Sequence, residues 1–148
     1  SASASGNVIS VRFHVPVGPL AWDDAIVAPQ GVNPVWMSGR GFEVQLAGSP
    51  ETIVSVTITG AAMDTVELTC ADTLDGQVVS VAYAFSAGSG ITQTLQPDGY
   101  TYLNTSLRWG QLRDSDPFVG PLTAVPQPNY AVAFSVDLPY TAPLPATN

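Results

Sequence analysis

The chain has 148 residues, with four basic side chains against twelve acidic ones, no lysine, and a net charge of −8. One domain with a sizeable core fits this length, and a hydrophobic content of 45% excludes a disordered chain. So few cations exclude binding to nucleic acid, whose phosphates need Lys and Arg, and adsorption to an anionic membrane.

Thirteen prolines and thirteen glycines point to strands joined by turns. Residues 1–7, opening Ser-Ala-Ser-Ala-Ser-Gly, have neither a basic nor an apolar stretch and are expected to be a linker or N-terminal arm. Period-two alternation then takes over, as half-buried strands require. Ile9, Val11, Phe13 and Val15 form the first set, with His14 on the polar face, and Pro16 ends it. Residues 16–41 are irregular and carry Trp22, Asp23, Asp24, Trp36 and Arg40, with a weak strand signal at Ala25-Ile26-Val27. Phe42, Val44 and Leu46 follow, then Val54, Val56 and Ile58, then Val66, Leu68 and Cys70. After the Asp75-Gly76 turn signal, Val79, Val81, Tyr83 and Phe85 line one face. Another weak strand signal spans 91–95, and Tyr130, Val132, Phe134, Val136 and Leu138 form the last set. The expectation is an all-β antiparallel two-sheet sandwich, one domain over 8–138, with a Pro-rich tail at 139–148. Core positions are expected at Val11, Phe13, Val56, Leu68, Val81, Tyr83, Val132 and Phe134.

Cys70 is the sole cysteine, so no intrachain disulfide forms; it shares a face with Val66 and Leu68 and reads as a small buried hydrophobe. Residues 87–129 form a long connection of little regularity, which in a compact domain marks function or an anchored loop. Within it Arg108, Trp109, Arg113, Asp114 and Asp116 concentrate the charge of a charge-poor chain. One reading is a structural lock: Arg113 pairing with Asp114 or Asp116 and with loop carbonyls, Arg108 assisting. The other is a binding surface: Tyr100, Tyr102, Asn104, Trp109 and Gln111 offer aromatic faces and polar groups suited to a glycan.

Catalytic readings fare worse. His14 is the only imidazole, no Gly-x-Ser-x-Gly block is present, and Asp114 and Asp116 are too close in sequence to straddle a sugar. Calcium on Asp114 and Asp116 stays open, although Arg108 and Arg113 would repel it and the glycine and later glutamate of an EF-hand loop are missing. No enzyme, no cofactor and no metal is the expectation.

Two resemblances follow from these motifs. Val11-Arg12-Phe13-His14-Val15-Pro16, Gly41-Phe42-Glu43-Val44, Val66-Glu67-Leu68-Thr69 and Gly76 to Tyr83 resemble the strand series of bacterial immunoglobulin-like domains, over about the first ninety residues. Arg113-Asp114-Ser115-Asp116-Pro117 with Pro128 to Phe134 resembles the end of accessory sandwich domains that follow sialate O-acetylesterase-like modules and occur in phage-like surface proteins. The esterase module's Gly-Asp-Ser block is absent here. The resemblance implies a non-catalytic surface or virion-associated module for adhesion or positioning, extracellular or on a virion. Its partners would be cell-surface glycans or neighbouring virion subunits. The alternative is a structural virion protein, decorating a capsid or attached to a tail, that assembles as a homo-oligomer.

Overall fold

A computed structural model of the chain describes residues 1–24, 38–85, 110–119 and 127–139, together with the backbone of 92–93 and 102–103. The first sheet contains β1 (Ala2–Ser5), β2 (Val8–Arg12), β6 (Ile53–Thr59) and β7 (Thr65–Cys70), in the order β1-β2-β7-β6. The second contains β4 (Phe42–Leu46), β5 (Ser49–Glu51), β8 (Val79–Tyr83) and β12 (Phe134–Asp137), in the order β12-β8-β4-β5. All pairings are antiparallel. Two short ribbons join β3 (Ala21–Trp22) to β11 (Leu112–Arg113), and β9 (Thr92–Gln93) to β10 (Tyr102–Leu103). This is the expected all-β sandwich.

The inner faces supply the core. Ile9, Val11, Val66 and Leu68 come from the first sheet, and Phe42, Val44, Val81 and Tyr83 from the second. Phe42 and Tyr83 are fully buried with ring centroids 4.7 Å apart, and Phe13 and Phe134 meet them edge-on or stacked. Each such side chain contributes about 1.5–3 kcal/mol by leaving water. Cys70 is buried as expected, and desolvation, with the nearby Glu51 charge, pushes its thiol up to about 11.

Several expectations are corrected by local geometry. Residues 2–5, read as linker or arm, are in the first sheet: Ala2 is buried, and Cys70, Asn7, Gly6 and Leu74 exchange backbone hydrogen bonds that pin the β1–β2 turn. Alternation breaks at Val54, which is exposed because a register shift between Ile53 and Ser55 inserts one extra residue and turns Ile53 inward. Phe85 is exposed because Ala84, at φ 48°, ends the run of β8. Val132 is 82% exposed, since β12 begins only at Phe134. The inward residue of the preceding stretch is Ala131, whose amide donates to Leu112 O at 2.9 Å. Phe13, Val56 and Phe134 are half-buried, packed on the core margin.

Candidate functional site

The 110–119 segment is laid across one end of the sandwich by a sequence of close fits. Gly110 lies where a Cβ would stand 1.9 Å from Tyr83 Oη, so only glycine fits. Two residues on, the Leu112 amide donates to that hydroxyl at 2.8 Å. Burial pushes the Tyr83 phenol up to about 12, a rise that the Leu112 hydrogen bond opposes. Leu112 then buries its side chain in the core while pairing opposite Trp22, and Arg113 pairs opposite Ala21. The irregular 16–24 stretch and the charged segment thus hold each other: Asp23 N donates to Gln111 O at 2.7 Å, Ser115 N to Val17 O at 3.0 Å, and Ser115 Oγ to Pro19 O at 2.6 Å.

Asp114 is the hub. Its residue is 2% exposed, and its carboxylate accepts from Asn129 N at 2.9 Å, Asn129 Nδ2 at 2.8 Å and Asp116 N at 3.2 Å. Its own amide donates to Asn129 O at 2.9 Å. Burial alone would raise this carboxyl; the Asn129 and Asp116 donors and the Arg113 charge outweigh it and hold it below the usual carboxylate range. Asp116 caps its own turn by accepting from Phe118 N at 2.9 Å.

The pairing within this segment differs from that expected. Arg113 Nε faces Asp23 Oδ2 at 3.4 Å, an ion pair without hydrogen-bond alignment, and Arg113 Nη1 donates to the Asp114 carbonyl at 2.9 Å. Asp23 also accepts from Tyr130 Oη at 2.5 Å. The expected Arg113 pairing with the Asp114 or Asp116 carboxylate gives way because amide donors already occupy Asp114 and the Asp116 side chain serves its turn. Beside this, Arg40 pairs with Asp24 and lies 4.6 Å over the Trp22 ring.

Of the residues suggested for ligand binding, Tyr100, Asn104 and Trp109 lie outside the described residues, as does Arg108. Tyr102 is placed by its backbone, in β10 opposite Gln93. Gln111 is buried at 5% exposure, held within the lock rather than presented. Among the described residues no three His, Cys, Asp or Glu side chains converge.

Sequence reasoning missed what surrounds the lock. Val17, Phe118, Val119, Tyr130 and Val132 are large apolar or aromatic residues left exposed on the segments that the Asp114 contacts and the β3–β11 pairing tie together. Next to them runs a groove of about 560 Å³ bordered by Phe13, Val15, Leu20, Tyr130, Ala131 and Phe134, with exposed His14 at its rim. Alternation suggested Val132 for the core; the signal against it was the density of proline and asparagine just before it, Pro126, Pro128 and Asn129, which delays the start of a strand.

Set against protein-family models, curated proteins and solved structures, the chain matches none.

Proposed function

We propose that this protein is a non-catalytic surface or virion-associated β-sandwich module, of the bacterial immunoglobulin-like accessory kind, that works by presenting a contact face for adhesion or positioning. The carrying observation is the platform at one end of the sandwich: segments 110–119 and 127–133 tied together by the buried Asp114 carboxylate, with 16–24 held to them through β3–β11 and Ser115, yet leaving Phe118, Tyr130 and Val132 exposed. A rigid scaffold under exposed aromatic and aliphatic groups is how binding surfaces are built, since little order has to be acquired on contact. Glycan binding falls to Trp109, which immediately precedes the fixed Gly110, with Tyr100, Tyr102 and Asn104 nearby in sequence.

The second reading, a virion subunit that assembles with copies of itself, is favoured by the same exposed Val132 and Phe118, because apolar anchors serve protein interfaces better than sugars. Glycan arrays and sedimentation velocity on wild type, Trp109→Ala and Val132→Asp test both. Glycan binding lost in Trp109→Ala, with an unchanged melting temperature, supports adhesion. Oligomers dissolved by Val132→Asp support assembly. A monomer at high concentration with blank arrays overturns both.

A further inference from the structure

A sheet edge invites another strand unless it is short, charged or broken by proline, and three of the four edges here are guarded in those ways. β5 is three residues long and contains Pro50, β1 is four residues long, and β12 carries Asp137. The fourth edge, β6, is seven residues long, and among the described residues β7 alone pairs with it. From Thr52 to Met63 there is no charge and no proline. The strand is open to solvent: Val54 is 63% exposed, and Ser55 and Thr57 are exposed beside it. Its one irregularity, the shift between Ile53 and Ser55, leaves Val56 to Thr59 regular.

The ladder fixes which backbone groups face outward. Cys70 N donates to Asn7 O at 2.8 Å, so Cys70, Leu68 and Val66 turn their backbone groups toward β2. Thr69, Glu67 and Thr65 turn theirs toward β6, where they stand opposite Ser55, Thr57 and Thr59. The N–H and C=O groups of Val56 and Ile58 are left pointing away from the sheet. Their side chains pack on the core margin and are only half-buried.

We propose that two copies of this chain join edge to edge through β6, antiparallel and centred on Thr57, so that their first sheets become one continuous sheet. Val56 of each copy then stands opposite Ile58 of the other, and the outward groups of both pairs exchange backbone hydrogen bonds. On the inner side these β-branched side chains cover each other's open flanks. On the outer side Thr57 meets its own counterpart and Ser55 meets Thr59, pairs that hydrogen-bond across strands.

A second copy is the occupant because this edge is complementary to itself. No like charges come opposite one another, although each chain carries a net charge of −8. The nearest acidic pair in line, Glu67 and its counterpart, is three strand spacings apart, about 14 Å, beyond a screening length of about 10 Å at 0.1 M salt. Pairing like with like also closes on a two-fold axis, so assembly stops at the dimer. The paired stretch 55–59 is small beside the roughly 20–30 residues a side of a stable interface, so association is weak, with a Kd of about 50–500 µM.

Sedimentation velocity and amide exchange by NMR on the full chain test the pairing. A dimer should appear between about 20 µM and 1 mM, and over that range exchange at Val56 and Ile58 should slow at least about threefold. The Ser55, Thr57 and Thr59 amides, already bonded to β7, should be slow throughout. Thr57→Lys puts like charges directly opposite and should leave a monomer, while Glu67 beside it in the same chain keeps the fold intact. Thr57→Glu should be monomeric as well, and mixing the two variants should restore a dimer. Val132→Asp should leave this dimer unchanged, which separates it from assembly through the platform. A wild-type monomer at about 1 mM overturns the proposal. So does a dimer that survives Thr57→Lys or dissolves in Val132→Asp, or a variant mixture that stays monomeric. Val56 and Ile58 amides equally slow at every concentration also overturn it, since the edge would then be filled within one chain.

Discussion

Replacing Asp114 with alanine removes the group on which three donors converge: Asn129 N, Asn129 Nδ2 and Asp116 N. A hydrogen bond to a charged acceptor is worth about 1.5–3 kcal/mol, but the contributions do not add fully. Asn129 is exposed, so water can take over its side-chain amide, and the 3.2 Å bond from Asp116 is the weakest of the three. A loss of about 3–4 kcal/mol remains for Asp114→Ala. Asp114→Asn should cost less, about 1–2 kcal/mol, because its amide oxygen still accepts from the two backbone donors while its NH₂ opposes the Asn129 NH₂. Adding Asn129→Asp to Asp114→Asn should recover part of that loss by turning the donor–donor contact into a donor–acceptor one. Urea unfolding with unchanged m-values reads the series. The carboxyl is held below its usual range, so its contribution is present above a pH of about 4 and fades as pH falls through the folded value. Wild type and Asp114→Ala should accordingly converge in acid. A loss below about 0.5 kcal/mol at pH 7, or a gap that persists in acid, would refute the hub.

Other substitutions probe the supports. Gly110→Ala drives a methyl into Tyr83 Oη, which is walled in by Phe42, and should destabilise by about 3 kcal/mol or more in chemical unfolding. Pairing it with Tyr83→Leu should give a loss clearly smaller than the sum of the two. Arg113→Ala should cost only about 1–2 kcal/mol, since Asp23 keeps Tyr130 Oη as a donor; Arg113→Lys should restore part of it, the fork to the Asp114 carbonyl being lost. In alkali, Cys70 and Tyr83 are raised in the fold to about 11 and about 12 from ordinary values of 9.0 and 10.0. Their stabilisation is complete below the unfolded values and lost as pH rises through the folded ones, so melting temperature should fall steadily above pH 9. Iodoacetamide should label Cys70 only once urea has opened the chain.

The sandwich was legible because strand burial is written locally. Val66, Leu68 and Cys70, or Phe42 and Val44, declare their inward face by period two alone. Period two carries no notice of an inserted residue, which is why Val54 was misplaced, nor of where pairing starts, which is why Val132 was. The charged cluster stood out in the sequence, but its partners did not. Asp23 is ninety residues from Arg113, and nothing in either neighbourhood says that β3 and β11 will lie side by side. Tyr83 and Gly110 depend on each other in the same unreadable way.

The ladder between β8 and β12 joins Tyr83 to Phe134 across a connection of about fifty residues, as long as the one between β2 and β7, while β4 reaches β8 with less chain between them. Closing a loop of that length costs more chain entropy than a hairpin, and here it returns only a four-residue strand at the margin of the core. The physics of contact order then sets a sequence of assembly: the β4-β5 and β6-β7 hairpins and the β4-β8 ladder form first, and β12 arrives late. Before it does, Phe13, Phe42 and Tyr83 have one flank exposed, and the nascent domain is at its most adhesive toward other chains. Yield on refolding should therefore depend on protein concentration more than the stability of the finished sandwich would suggest.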